Sequence, residues 1–152
     1  MNISINQIKK LREKTGAGIA DSRKALEEAK GNFAKAEELV KSWGLDKAVS
    51  KADRVVGAGL VETYIHGGGK VGAMVEVACE TDFAARTDEF KNLAHELAMQ
   101  VAAMDPKNVE EMMKQDYIRE TGKTIDQLVK ETIAKVGENI IIKRFMRFEL
   151  GQ

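Results

Sequence analysis

Apolar residues recur at helical intervals through the first part of the chain and change to alternation at Gly57, so helices precede a mixed region. Ile5, Ile8 and Leu11 mark a first helix, with Ser4 and Gln7 at capping-box spacing and a stop at Thr15-Gly16-Ala17-Gly18. Ser22, Ala25, Leu26 and Ala29 fall on one face of a second helix, which Gly31 stops. Asn32 is placed to cap a third, carrying Phe33, Ala36, Leu39, Val40 and Trp43, with Gly44 as its expected end. Residues 45–56 then predict a linking helix, with Ala48, Val49, Ala52 and Val56 on one side and Lys47, Lys51 and Arg54 on the other.

Beyond Gly57 the period is two. Val61, Thr63 and Ile65 alternate with Leu60, Glu62, Tyr64 and His66, and after Gly67-Gly68-Gly69 the residues Val71, Ala73, Val75, Val77 and Cys79 share a face. Two alternating runs around a glycine turn predict a β-hairpin. Thr87 caps a following helix with Phe90, Leu93, Ala94, Leu97, Ala98 and Val101, which Pro106 helps to end. Residues 105–123 carry only a short helical signal, at Val109, Met112 and Met113 after a start at Asp105-Pro106. Thr124 and Gln127 repeat the capping-box spacing before Ile125, Leu128, Val129, Ile133 and Val136, and Gly137 ends that helix. In the last stretch Ile140, Ile142, Arg144, Met146, Phe148 and Leu150 alternate with Ile141, Lys143, Phe145, Arg147 and Glu149, which predicts a strand apolar on both faces.

These elements give an α+β fold class: a three-helix head (1–44), a connecting helix (45–56), and an α+β core (57–152) with a three-stranded, mostly antiparallel sheet packed with helices. The head alone has too small a core to be more than marginally stable.

Charge narrows the function classes. The 24 basic and 24 acidic residues cancel overall, without the basic excess expected of a nucleic-acid binder, so no direct nucleic-acid contact is expected. Residues 1–56 hold 12 basic and 8 acidic side chains, and residues 57–152 hold 12 and 16. Charges interrupt every apolar run, so no membrane span is expected, and the N-terminal residues lack a leader pattern; a cytoplasmic protein is expected. Cys79 is the single cysteine, and His66 and His95 are isolated, so neither a disulfide nor a bound metal is expected.

The glycine-rich segments fail as nucleotide sites. A P-loop requires Gly six residues before Lys70 and Ser or Thr after it, where this chain has Tyr64 and Val71. Gly57-Ala58-Gly59 precedes a strand rather than a helix. No nucleophile elbow or polar cluster points to catalysis, and the expectation is no catalytic residue, no cofactor and no nucleotide held by this chain. What stands out is Glu80-Thr81-Asp82-Phe83-Ala84-Ala85-Arg86, which joins the hairpin to the next helix outside the period of either. Phe83 there is either an anchor for a partner's pocket or a staple folded back on the following helix.

Three ordered segments carry a family resemblance. Leu11-Arg12-Glu13-Lys14-Thr15-Gly16-Ala17-Gly18 with Asp21 and Lys24-Ala25-Leu26 resembles the opening signature of the elongation factor Ts family. Glu76-Val77-Ala78-Cys79-Glu80-Thr81-Asp82-Phe83-Ala84-Ala85-Arg86 resembles its second. Ile133-Ala134-Lys135-Val136-Gly137-Glu138-Asn139-Ile140, then Arg144-Phe145-Met146-Arg147-Phe148, resembles its third. The resemblance implies a UBA-like head and guanine-nucleotide exchange on the GTPase elongation factor Tu. It implies head contacts at Lys9, Arg12, Ile19 and Ala20. It also implies that the Thr81, Asp82, Phe83 and Ala84 loop disturbs the Mg²⁺ and phosphate site, with Phe83 inserting between helices of the partner.

This chain departs from the family pattern in places. Ile19-Ala20 stands where many relatives have two methionines, and Ala84 replaces a common valine. Only one core half fits the length, and short family members compensate by pairing as homodimers; Ile141 and Phe145 are the expected pairing surface. Met146 stands where some short relatives have a cysteine. The alternative reading is a non-catalytic helical module that binds a peptide or ubiquitin-like partner through the Thr15–Gly18 loop, with the α+β body as scaffold.

Overall fold

The computed structural model describes residues 3–152. It is an α+β fold in which three head helices, α1 (Ile5–Thr15), α2 (Ile19–Glu28) and α3 (Phe33–Ser50), lead into the body. The body comprises β1 (Ala58–Ile65), β2 (Val71–Cys79), α4 (Asp82–Ala85), α5 (Asp88–Met104), α6 (Val109–Lys114), α7 (Ile125–Val136) and β3 (Ile140–Glu149). The expected caps form. Ser4 and Gln7 close a capping box on α1, as Thr124 and Gln127 do on α7, and the Asn32 and Thr87 side chains accept N–H groups at the starts of α3 and α5. Each satisfies backbone donors that the helix itself cannot.

The head closes on Leu11, Ala25, Leu26, Ala29, Ala36 and Val40, with Trp43 and Phe33 at the margin. Lys24 lies 4.8 Å above the Trp43 ring and shields its outer face. Ile5, expected on the buried side of α1, is instead exposed.

Gly44 does not end α3. The helix runs on to Ser50, and only a short turn follows it, so the separate linking helix expected over 45–56 is the last part of α3 plus irregular chain. The reason lies in packing. A Cβ at Gly44 would sit 3.1 Å from the Ala134 side chain on α7, so the glycine serves close approach of two helices rather than termination. Of the face expected for that helix only Ala48 is buried, and it belongs to the body's core.

That larger core is built on the sheet. β2 lies between β1 and β3, both antiparallel to it, and its Ala73, Val75, Val77 and Cys79 face α5 as the alternation requires. Phe90, Leu93, Leu97 and Val101 of α5 meet them, and Met112, Ile125, Val129 and Ile133 extend the layer through α6 and α7. Gln100 is fully buried and fastens the irregular 105–123 stretch: its amide donates to the Asp116 carbonyl at 3.0 Å and its oxygen accepts the Ile118 N–H at 3.1 Å. Tyr117 adds a bond to Glu96 at 2.6 Å; burial, then that carboxylate, pushes the phenol above its ordinary range. The short helix here starts after Asn108, which caps it, whereas Asp105 takes a left-handed conformation to close α5.

β3 departs from simple alternation. Glu76 pairs with Arg144 and Val77 with Ile142, so Lys143 is an extra residue in a β-bulge. One inserted residue reverses which side chains face inward. Ile140 and Ile142 point to the core, and beyond the bulge Phe145 and Arg147 do, the latter donating to the Ala102 carbonyl at 3.1 Å. Phe145 therefore packs against the core and is no part of an exposed pairing surface. Met146 and Phe148 are turned outward, where they join Val61, Ile65 and Met74 on an uncovered apolar sheet face.

At Gly59, φ is +144°, and a Cβ would lie 2.1 Å from the Val77 carbonyl oxygen. Gly59→Ala is expected to lower stability by about 3 kcal/mol or more, through backbone clash in the sheet. Gly67→Ala, with open space around it, is expected to stay within about 0.5 kcal/mol. Urea unfolding of the two variants measures the contrast.

Candidate partner-binding loop

The hairpin ends at Cys79, whose buried thiol donates to the Thr81 carbonyl at 3.2 Å. Burial pushes that thiol above its usual range, and the nearby Glu138 and Asp82 charges push it further, which keeps it protonated and unreactive at neutral pH. The chain then turns through Glu80 and Thr81 into α4, whose four residues include three of the expected site positions.

Thr81 starts α4 with its hydroxyl, which accepts the Ala84 N–H at 3.3 Å. Ala84 and Ala85 are buried in the body's core and hold the inner side of the turn. Phe83 points the other way and is 84% exposed. The staple alternative therefore does not hold: the ring lies on solvent, not on α5. Asp82 is also exposed.

Two contacts across the fold fix this turn. Glu138, just past the Gly137 cap of α7, accepts the Thr81 N–H at 2.9 Å and the Thr81 hydroxyl at 2.7 Å. In return Glu80 accepts the Asn139 N–H at 2.8 Å. Adjacent residues of one turn thus exchange carboxylate-to-amide bonds with adjacent residues of the other. Asn139, buried, also donates its amide to the Ala52 and Arg54 carbonyls at 3.2 and 2.9 Å, and Arg54 lies 3.5 Å from Glu80. The connector from the head is thereby latched to the same point. Bonds to a charged acceptor contribute about 1.5–3 kcal/mol each, and partial exposure here places them at the low end.

The head residues lie apart from this loop in the sequence and are all on the surface. Lys9 and Arg12 project from α1, and Ile19 and Ala20 open α2 after the Thr15–Gly18 loop, with Ile19 61% exposed. Sequence reasoning missed Glu138, Asn139 and Arg54 as supports of the Phe83 loop. Nothing local signals them, because the Thr81 and Glu138 partners are 57 residues apart. Among the described residues no group of three or more His, Cys, Asp or Glu is placed to hold a metal ion. No helix in the same span is long and apolar enough to cross a membrane.

Comparison with known proteins decides the family. An elongation factor Ts family model matches residues 80–152. Over nearly the whole chain, the elongation factor Ts of Thermoanaerobacter sp. strain X514 is 41% identical across 195 aligned positions, spanning 99% of this chain and 96% of the relative. The chain belongs to the elongation factor Ts family. It is thereby a translation elongation factor. The family member from Coprothermobacter proteolyticus is 40% identical with both chains fully covered, and that from Nostoc punctiforme is 46% identical over 150 positions, with 99% of this chain but 47% of the relative covered. The first two alignments are longer than the 152 residues here, so those elongation factor Ts chains carry internal sequence without a counterpart in this one.

Because the Phe83 ring contributes little to the folded core, Phe83→Ala is expected to change stability by less than about 0.5 kcal/mol. Phe90→Ala, at a fully buried ring, is expected to cost about 3–5 kcal/mol. Thermal unfolding of both variants checks that the Phe83 ring takes no part in the core.

Proposed function

We propose that this chain is a guanine-nucleotide exchange factor, without catalytic groups, that binds elongation factor Tu in its GDP-bound state and promotes release of the nucleotide. The observation that carries the reading is Phe83: a large apolar ring, 84% exposed, on a turn whose first residue, Thr81, is bonded to Glu138 and caps the Ala84 N–H. Exposed aromatics on ordered loops are typical anchors at interfaces.

GDP is held by phosphate contacts and Mg²⁺, both dependent on the geometry of short phosphate-binding and switch segments. Phe83, inserted between helices of the partner, would displace those segments, with Asp82 fixing the approach and Thr81 and Ala84 shaping the turn. Lys9, Arg12, Ile19 and Ala20 of the head supply a second contact. A factor that binds the empty GTPase more tightly than the loaded one must weaken GDP by the same ratio that GDP weakens the factor. Each tenfold step corresponds to about 1.4 kcal/mol, so one buried aromatic and a disturbed metal contact account for several steps. We place this activity in the cytoplasm.

A second copy of the chain is the expected further partner. The Nostoc relative has a further half outside the matched stretch, and this chain leaves one sheet face bare. Val61, Ile65, Met74, Met146 and Phe148 line that face, with Met74 opposite Met146 and Gly72 opposite Phe148. Two such faces stacked across a twofold axis would bury the patch.

Release of fluorescent GDP from elongation factor Tu tests the exchange reading. Rapid release with the wild-type chain, reduced at least about tenfold by Phe83→Ala, is the expected result. No acceleration by folded wild-type chain would transfer the case to the helical binding-module reading. For the second copy, sedimentation at micromolar concentration is expected to show a dimer that the double substitution Met146→Glu and Phe148→Glu converts to monomer. A wild-type monomer at that concentration would rule the pairing out.

A further inference from the structure

An exposed aromatic is useful as a wedge only if its backbone resists being pushed. α4 has four residues and cannot supply that resistance itself, since a single turn has little internal hydrogen bonding. Its start is instead bonded to a residue 57 positions further along the chain. Glu138 accepts from both the Thr81 N–H and the Thr81 hydroxyl, and the same hydroxyl accepts the Ala84 N–H. Within one threonine, the oxygen that caps the turn is thus oriented by the Glu138 carboxylate. Gly137, left-handed at φ +80°, turns the chain out of α7 and delivers Glu138 to this place. Ala85 N–H to the Thr81 carbonyl and Arg86 N–H to the Phe83 carbonyl complete the turn.

We propose that Glu138 is a positioning residue for exchange: it touches no partner but holds Thr81 so that Phe83 is presented on a rigid turn. This rests on the exchange reading above and adds a residue to it. Without Glu138 the turn becomes mobile, and the cost of ordering it moves from folding to the displacement step. Binding through the head and other surfaces is then largely retained while the push on the nucleotide site weakens.

The test follows fluorescent-GDP release over a range of chain concentrations for wild type, Glu138→Ala, Phe83→Ala and the double variant. Glu138→Ala is expected to lower the maximal release rate about tenfold while the half-saturating concentration moves less than about twofold. The double variant is expected to be no slower than Phe83→Ala alone, because a positioning residue has nothing to position once the ring is gone. Glu138→Gln, whose amide oxygen still accepts the Thr81 N–H, is expected to recover part of the rate. Equal losses from Glu138→Ala in the presence and absence of the Phe83 ring would mean a general effect on the fold and overturn the proposal. So would an unchanged rate.

Hydrogen exchange on the free chain separates the two readings. Amides of residues 81–86 are expected to lose protection in Glu138→Ala while those of β2 and α5 keep theirs. If wild-type chain fails to release GDP, the exchange reading falls. Unchanged protection at 81–86 in Glu138→Ala instead refutes the clamp itself, whatever the release assay shows.

Discussion

The crossed pair of carboxylate-to-amide bonds, Glu138 to Thr81 and Glu80 to Asn139, is the constraint on which the exposed Phe83 turn depends. It joins the end of the hairpin to the start of the last strand, two places where regular backbone pairing stops and donors need partners. Asn139 adds the connector to the same knot through the Ala52 and Arg54 carbonyls. Three segments that are distant in the chain meet there, and each supplies what another lacks. Phe83 can be exposed because these bonds, together with buried Ala84 and Ala85, hold its turn without using the ring.

Much of the fold was legible because it rests on local rules. Capping residues at Ser4, Asn32, Thr87 and Thr124 act within a few positions of themselves, and β2 shows its buried face by simple alternation. The loop around Phe83 stood out for the opposite reason, as an aromatic outside the period of both neighbouring elements. What was not legible depends on distant partners. Gly44 reads as a helix stop until Ala134 is known to lie against it. Glu138 belongs to the third resembling segment, but nothing local tells its role until Thr81 is known to lie opposite. The family resemblance named residues on the loop and on the head, but it did not indicate what braces them.

The bulge at Lys143 shows how one residue redistributes a surface. Uninterrupted alternation would put Arg144, Met146 and Phe148 on the side of Ile142, inside the body. The extra residue sends Phe145 and Arg147 inward instead, where the guanidinium meets the Ala102 carbonyl and the Asp105 and Glu149 carboxylates. The outer face thereby receives Met146 and Phe148 beside Met74, with the Glu76–Arg144 pair at 2.8 Å bordering the patch. The apolar character of that face thus has a backbone cause.

The uninterrupted course of α3 sets a mechanical condition on the whole molecule. The same helix contributes Ala36 and Val40 to the head's core and Ala48 to the body's, with Gly44 seated against α7 between them. A rigid shaft shared by two cores locks their phase. Each residue added to or removed from the shaft between Val40 and Ala48 would rotate the head by about 100° and shift it about 1.5 Å along the axis. Substitutions there can be absorbed by repacking, but a change of length cannot. This stretch of α3 therefore works as a keyed shaft, whose residue count fixes where the head faces.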